Sequence, residues 1–365
     1  MPFSAALVER VKAVSNRVNV TVLPAVKPEE IPAEVWARTE VLYTDRVLPI
    51  PAQAPRLRFI QFHYAGIDYA AESPILRKPD LVAATLSGAV SSQVAEWSVA
   101  MLLALGHRIP EMMALQSKSE WPQDRWQQFA PVELRGTTIG LVPYGSISRE
   151  IARLLVPFGV NILAAKRNAM DPTDRGYMPE GLGDPEGNLF KRLYPIEALK
   201  SMLKECDFVI VSLPLTPQTR GMIGAEELKA MKPGAFLVDC GRGGIVDHAA
   251  LLQALQEKHL AGAALDVFPQ EPLPADNPVW KQPNVIVSPH VAGISKNFDA
   301  HATDLFAANL RRYIDGALPP PPHSLHSPTN ERIVPSEHPS TSMRGWRDVH
   351  HKSRAPFGVR PHRWC

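Results

Sequence analysis

GLVPYGSISRE, residues 140–150, is the stretch that decides the fold. It follows the apolar run TTIGLV and opens the amphipathic segment ISREIARLLVPF, so a strand, a tight turn and a helix are predicted in that order. A nucleotide-binding glycine loop belongs at such a junction. Pro143 and Ser148 occupy two glycine positions of the pattern G-x-G-x-x-G, and only Gly145 remains. Taken alone, the stretch fits a cofactor loop or an ordinary turn equally well.

Strands and helices alternate strictly after this stretch. Apolar runs such as FVIVSLPL, AFLVDC and VIVSPH are separated by amphipathic segments such as IEALKSMLKE and HAALLQALQEKHL. Apolar strands spaced by helices indicate βαβ units, whose parallel sheet is covered on both faces. Right-handed crossovers then favour a doubly wound α/β sheet. Before His63, the runs VNVTVLP, EVLYTD and RFIQFH predict further strands.

Two other segments carry structural predictions. Residues 91–109 are apolar nearly all round, which predicts one long helix buried between layers. The loop 169–195 is long for an αβ connection, and its Gly and Pro content suits either an ordered excursion or a flexible lid.

Composition excludes several classes of protein. No apolar run approaches the roughly 20 residues that span a bilayer, so no membrane partner is expected. The three cysteines are too scattered for a disulfide framework or a metal cluster, which favours the cytoplasm and predicts no metal. The net charge of +2 comes from the segment after Ala317, so the body has no basic face for nucleic acid. Residues 319–365 are rich in Pro, His and Ser and are predicted to be disordered.

The turn at Gly145 retains the features that a phosphate needs. Gly145 stands at the second glycine position, where a side chain would meet the ligand. The N–H groups of Ser146 and Ile147 open a helix, which favours an anion, and Tyr144 lies beside them in the turn. The next strand ends in Lys166 and Arg167 instead of a carboxylate that would bind the ribose of NAD. Two cations suit a 2′-phosphate and therefore NADP, although they also suit a solvated strand end.

Three further residues follow strands and form a chemically coherent set. Arg242 lies in VDCGRGGIVD, Glu271 follows AALDVF, and His290 lies in VIVSPHVAG. Carboxyl ends of parallel strands share the edge of the sheet that binds ligands. Arg can clamp a carboxylate, His can exchange a proton, and Glu can raise the pKa of the imidazole. Each residue alone also suits a structural role, but the three together favour a catalytic site.

Residues 40–316 resemble the D-isomer-specific 2-hydroxyacid dehydrogenases. The resemblance is carried, in order along the chain, by the stretches AGID (65–68), SSQVAEW (91–97), LRGTTIGLV (134–142), LPLTPQTRGMIG (213–224), LVDCGRGGIVD (237–247), AGAALDVFPQEPLP (261–274) and NVIVSPHVAG (284–293). It implies two doubly wound, Rossmann-like domains, with the nucleotide-binding domain (99–292) inserted into a substrate domain (1–98 and 293–318). It also implies a homodimer formed through the nucleotide-binding domains.

The resemblance implies an NAD(P)-dependent oxidoreductase acting on a small 2-keto or 2-hydroxy acid such as glyoxylate or hydroxypyruvate, with NADP favoured and NAD possible. Arg242 would hold the substrate carboxylate together with the N–H groups of Ala65 and Gly66. His290, with Glu271 as its partner, would exchange the proton. Asp266 and the Cys240 carbonyl would orient the nicotinamide carboxamide. Further cofactor contacts are expected from the same motifs, at Leu213, Pro214, Thr219, Gly241, Ala292 and Gly293.

A second function stays open at this point. Pro143, Ser148 and the basic tail also suit a nucleotide sensor or scaffold that binds without turnover.

Overall fold

The computed structural model describes residues 3–317, and the disorder predicted for 319–365 lies outside them. Within these residues, ten strands form two parallel sheets. The smaller sheet contains β1 (Val41–Thr44), β2 (Phe59–Phe62) and β3 (Val82–Ala84). The larger contains β4 (Thr138–Val142), β5 (Asn161–Lys166), β6 (Arg192–Pro195), β7 (Phe208–Val211), β8 (Ala235–Asp239), β9 (Leu260–Leu265) and β10 (Val285–Val287).

The larger sheet has the order β10-β9-β8-β7-β4-β5-β6. The chain moves outward from β4 to β6, then returns to β7 beside β4 and continues in the other direction. The order therefore reverses between β4 and β7, and ligands of doubly wound sheets bind at the carboxyl ends of the strands at such a point. This confirms the predicted α/β class and places the stretch 140–150 at the reversal.

In the described part of the chain, ten α-helices pack around these sheets: α1 (Ala5–Lys12), α2 (Ala33–Arg38), α3 (Ser91–Gly106), α4 (Ile109–Lys118), α5 (Arg125–Gln128), α6 (Ser146–Leu155), α7 (Leu199–Leu203), α8 (Ala225–Ala230), α9 (His248–Gln256) and α10 (Phe298–Ile314). Helices α3 and α6 cover one face of the larger sheet, where Leu102, Ile139 and Ile151 share a core. Helices α7 to α9 cover the other face around Leu203, Val209 and Leu237. The strands are apolar throughout because both of their faces are buried.

The smaller sheet runs β1-β2-β3 in chain order, without a reversal among the described residues. Residues from both ends of the described chain pack on it, since Val11 of α1 and Phe306 of α10 share a core with Phe59. The predicted strand VNVTVLP (18–24) is wrong. This run has no strand partner in the described sheets, and Val22 and Leu23 are exposed. Its alternating β-branched residues fit a strand locally, but no sheet edge pairs with them.

The predicted helix 91–109 is divided into α3 and α4. The chain breaks at Arg108, whose φ of 55° is left-handed. Gly106 meets the 130–132 segment closely, since a Cβ there would lie 2.7 Å from the Val132 carbonyl oxygen. The loop after β5 is an ordered excursion that ends in β6, a strand that the sequence pattern did not predict. Within residues 3–317, no helix combines the length and the apolar character needed to cross a membrane.

Candidate active site

The turn between β4 and α6 leaves open space beside Gly145. Gly145 has φ −99° and ψ −169°, an extended conformation that any residue adopts. A Cβ built on it would meet no protein atom within 4 Å, so neither backbone strain nor packing requires glycine there. The first intrahelical hydrogen bond of α6 is donated by the Arg149 N–H to the Gly145 carbonyl. The N–H groups of Ser146 and Ile147 precede it and have no intrahelical acceptor.

Ser148 serves the close packing of α6 on the sheet. It is fully buried, and its Oγ lies 3.3 Å from Oγ of Ser212, which directly follows β7. Only a small side chain fits between the helix and this strand end. Serine therefore replaces glycine at this position without displacing the helix.

Tyr144 presents its backbone to the turn and buries its side chain. The phenol is 1% exposed and donates to Oδ2 of Asp184 at 2.5 Å. Burial and the Asp184 carboxylate raise the pKa of Tyr144 far above its ordinary value, so the hydroxyl remains a donor. The contribution expected of Tyr144 to a cofactor site therefore rests on its main chain.

Lys166 has partners within the chain. Its Nζ donates to the carbonyl oxygens of Asp171 (2.6 Å) and Thr173 (2.9 Å), and burial lowers its pKa. Arg167 is exposed, and among residues 3–317 its side chain has no hydrogen bond or ion pair. Of the two cations predicted to meet a 2′-phosphate, Arg167 is free to do so and Lys166 holds the excursion that follows β5.

Arg149 is the residue that sequence reasoning missed. It is 1% exposed, and its guanidinium donates to the carbonyls of Asp184 (2.5 Å) and Pro172 (2.6 Å). The same group lies 3.3 Å from Asp174 and over the ring of Tyr144. One buried cation thus ties the excursion 168–190 to the first turn of α6. An arginine on an amphipathic helix predicts a solvated side chain, so the sequence carried no signal for this contact.

The turn after β8 packs against the end of β7. A Cβ at Gly241 would lie 2.8 Å from the Leu213 carbonyl oxygen, so glycine is required for this approach. Beyond Leu213, Thr219 Oγ1 donates to the Pro214 carbonyl at 2.6 Å and closes the next turn. The thiol of Cys240 is buried beside Ser98, and burial raises its pKa to about 12. The predicted cofactor residues of these two strand ends therefore lie side by side.

Arg242 bridges the two sheets. Its guanidinium lies directly against Gly66, where any Cβ would collide with it, so only glycine allows this approach. Arg242 Nε lies 3.4 Å from Oδ1 of Asp68, and Nη1 donates to the Gly241 carbonyl at 2.8 Å. The residues Ala65 and Gly66 follow β2 of the smaller sheet, so a carboxylate here would meet Arg242 and that backbone together.

His290 and Glu271 form the predicted pair. Nδ1 of His290 lies 2.8 Å from Oε2 of Glu271, and Oε1 of Glu271 accepts from the Phe268 N–H at 2.9 Å. An ionised carboxylate only accepts, so it fixes the hydrogen on Nδ1 and leaves Nε2 to exchange a proton. The His290 side chain is 42% exposed, as a group that must meet substrate requires.

The His290 turn is held by Asp266. His290 has a left-handed φ of 54°, uncommon for a residue with a side chain. Buried Asp266 accepts from Ser288 Oγ (2.5 Å) and from the N–H groups of Val291 and Ala292 (2.9 Å each). These three hydrogen bonds bracket His290 and hold it in this conformation. Beyond the turn, the Gly293 carbonyl accepts from Gln93 of α3 at 3.1 Å.

Across the part of the chain that the structure describes, no group of three or more His, Cys, Asp or Glu residues could hold a metal ion. The described site instead joins a cationic clamp, a proton-exchanging pair and a helix N-terminus at one sheet edge.

Matches to known proteins agree with this geometry. Residues 99–292 match the family described as D-isomer specific 2-hydroxyacid dehydrogenase, NAD binding domain. The chain is similar to a glyoxylate reductase of Aeropyrum pernix, with 34% identity over 284 residues that cover 76% of this chain and 80% of the relative. It is also similar to a D-3-phosphoglycerate dehydrogenase of Methanocaldococcus jannaschii, 31% identical over 266 residues. That match covers 73% of this chain and 47% of the relative, so the chain spans about half of that protein.

A solved structure has the same fold. It is a D-isomer specific 2-hydroxyacid dehydrogenase of Xanthobacter autotrophicus Py2, in complex with NADPH and MES. The TM-score is 0.67 at 26% identity, and the match covers 86% of this chain and 94% of that chain.

Proposed function

The chain belongs to the D-isomer specific 2-hydroxyacid dehydrogenase family, and on that premise we propose that it reduces small 2-keto acids such as glyoxylate and hydroxypyruvate with NADPH. Enzymes of this family are oxidoreductases that transfer a hydride between a nicotinamide dinucleotide and a 2-hydroxy acid. The name of the Aeropyrum relative supports glyoxylate as the first substrate to test.

The observation that carries the proposal is the contact of Arg242 with Gly66, on the same sheet edge as the His290–Glu271 pair. Arg242 and the N–H groups of Ala65 and Gly66 bind the substrate carboxylate, since a guanidinium and backbone donors both match its oxygens. A dinucleotide held at these strand ends would supply the hydride that reduces the keto carbon. His290 delivers a proton from Nε2 to the substrate oxygen, and Glu271 keeps the ring in the orientation and tautomer that this requires.

The strand ends around the β4–β7 reversal would hold the dinucleotide. Gly145 leaves space for a pyrophosphate, and the free N–H groups of Ser146 and Ile147 suit its charge. Cofactor contacts are proposed for the remaining predicted positions, with Tyr144 acting through its backbone: Leu213, Pro214, Thr219, Cys240, Gly241, Asp266, Ala292 and Gly293. Arg167 is the proposed partner of the 2′-phosphate of NADP, with Lys166 fixing the segment behind it.

Oxidation of NADPH in the presence of glyoxylate or hydroxypyruvate tests the proposal. We expect turnover by the wild type and its loss in the Arg242→Ala, His290→Ala double variant. The matched control is Arg17→Ala with His107→Ala, which removes the same residue types from exposed positions. A wild type no faster than the double variant would reject the proposed reaction. Tight nucleotide binding without turnover on any keto acid would favour the sensor function instead.

A homodimer is the proposed assembly, formed through residues 109–132. Helix α4 has no buried residue, and the segment after it exposes Trp121 (79%) and Trp126 (74%). Large exposed apolar side chains grouped on one segment are typical of a protein interface. Analytical ultracentrifugation would show a dimer, and Trp121→Lys with Trp126→Lys would shift it to monomer. A monomeric wild type would contradict this assembly.

The domain division and the location are proposed as well. We assign 1–98 and 293–318 to a substrate domain and 99–292 to a nucleotide-binding domain, supported by the packing of α1 and α10 on the smaller sheet. Hydrogen exchange would test this division, since the two parts should be protected as separate units.

The buried, unpaired cysteines Cys206 and Cys240 suit the reducing cytoplasm, which cell fractionation would test.

A further inference from the structure

Two buried acids lie side by side beneath the site. Asp239 ends β8 and is 0% exposed, and Asp266 directly follows the neighbouring strand β9 and is 1% exposed. The Asp266 N–H donates to the Asp239 carbonyl at 3.0 Å, which joins the two strand ends. Each acid supports one catalytic turn, because Asp239 precedes the turn that carries Arg242 and Asp266 holds the turn that carries His290.

The two carboxyl groups have different hydrogen-bond partners. Asp266 accepts three hydrogen bonds and donates none, as an ionised carboxylate does. Asp239 Oδ1 accepts from the Gly241 N–H at 3.0 Å. Its Oδ2 is buried, and within residues 3–317 it has no hydrogen-bond partner. A buried ionised oxygen without a donor is costly, whereas a protonated one carries no charge.

We propose that Asp239 is a positioning residue that acts as a neutral carboxylic acid, holding the Arg242 turn through the Gly241 N–H. When it ionises, a second negative charge lies beside Asp266, and the turns that carry Arg242 and His290 move apart. The proposal rests on the proposed function, because it acts through those two residues. Activity is therefore expected to fall as Asp239 loses its proton.

The surroundings of Asp239 favour this protonation. Burial raises the pKa of Asp239 to about 7; the hydrogen bond from the Gly241 N–H opposes this rise, and the charge of Asp266 adds to it. Toward α3, the Cys240 thiol beside Ser98 stays neutral because burial raises its pKa to about 12. The Arg242 guanidinium is engaged by Asp68 and by the Gly241 carbonyl.

The other face of β8 packs on α8 and α9. From α8, Leu228 enters this core and Glu227 accepts from the Gly224 N–H. At the start of α9, Asp247 is exposed and caps the helix, and burial lowers the pKa of His248, which keeps it neutral. Across the described chain, Asp266 is thus the charge that acts on Asp239.

The test compares the wild type with Asp239→Asn, whose amide matches the neutral acid in shape. In the wild type, kcat/KM for glyoxylate with NADPH is expected to fall about tenfold between pH 7 and pH 8.5. At pH 6, kcat/KM of Asp239→Asn is expected to lie within about twofold of the wild-type value. Between pH 7 and pH 8.5, the variant is expected to lack the decrease in kcat/KM that ionisation of Asp239 causes in the wild type. An identical pH profile in both proteins would overturn the positioning role.

Infrared spectroscopy of the wild type supplies a readout that is independent of turnover and of the folding of the variant. The carbonyl band of a protonated carboxylic acid should be present at pH 6 and lost by pH 8.5, and Asp239→Asn should lack it. A protein without that band at pH 6 would overturn the proposal. Absence of keto-acid turnover would instead reject the proposed function, while the infrared result would still decide the protonation of Asp239.

Discussion

Replacing Arg149 with Met should release the excursion 168–190 from helix α6. Methionine keeps an unbranched apolar side chain of similar stem length, but it cannot hydrogen-bond. It removes the guanidinium that binds the Asp184 and Pro172 carbonyls and pairs with Asp174. The core of the larger sheet does not contain these partners, so the change is expected to act locally.

The structure sets the size of this effect. A hydrogen bond from a charged group contributes about 1.5–3 kcal/mol, and Arg149 makes two of them. Breaking a buried ion pair costs about 3–5 kcal/mol. Asp174 is 29% exposed, however, and the excursion can open so that water reaches its carbonyls, which reduces the cost. We therefore expect local opening to become easier by about 3 kcal/mol, which is roughly a hundredfold increase in the open population.

Limited proteolysis measures this opening, because trypsin can cut after exposed Arg175 inside the excursion. The Arg149→Met variant should be cut there roughly a hundredfold faster, and its Kd for NADPH should rise as the segment behind Arg167 loosens. Arg17→Met is the matched control, since Arg17 is exposed and belongs to neither α6 nor the excursion. Equal cutting rates in the wild type and in Arg149→Met would refute the reasoning.

Three further predictions concern Glu271, Gly145 and Asp239. Glu271→Gln leaves an amide beside His290 and should lower kcat by about 10²-fold with little change in KM. Steady-state kinetics would measure both constants, and an unchanged kcat would contradict the assigned pairing. Gly145→Ala should raise the Kd for NADPH at least about tenfold while Tm stays within a few degrees, because its Cβ meets no protein atom. A Kd equal to that of the wild type would remove Gly145 from the cofactor site. The raised pKa of Asp239 lets the folded protein keep a proton that the unfolded chain loses, so ionisation of Asp239 in the unfolded chain should lower the free energy of unfolding progressively from about pH 4 to pH 7. Denaturant unfolding should show a loss on the order of 4 kcal/mol across that range, absent in Asp239→Asn, and parallel curves would count against the protonated acid.

Much of the fold could be predicted from sequence because its determinants are local. The apolar runs with intervening amphipathic segments predicted the parallel sheet, and the strand ends placed Arg242, Glu271 and His290 on one edge. The pairing of Glu271 with His290, which the resemblance implied, is present in the structure. The similarity to 2-hydroxyacid dehydrogenases, carried by the same motifs, is confirmed by the family match.

The remaining features depend on contacts between distant parts of the chain. Arg149 is buried because Asp174 and Asp184 fold back over α6, which no helical period encodes. Lys166 was predicted to meet a phosphate, but the main chain of residues 171–173 comes within reach of its Nζ. In the sequence, Asp239 is an ordinary polar residue at the end of an apolar run. In the structure it is buried, because β9 pairs with β8 beside it. Tertiary packing, and not the local sequence pattern, therefore determines which polar side chains are buried and which groups they bind.

Transfer of deuterium from the cofactor to the substrate tests the central claim most directly. NADPH carrying two deuterium atoms at C4 would be incubated with glyoxylate and the protein, and the glycolate analysed by mass spectrometry and NMR. We expect glycolate with one deuterium at C2, formed by the wild type and not by the Arg242→Ala, His290→Ala variant. Glycolate without deuterium, or no glycolate while NADPH stays bound, would contradict that claim.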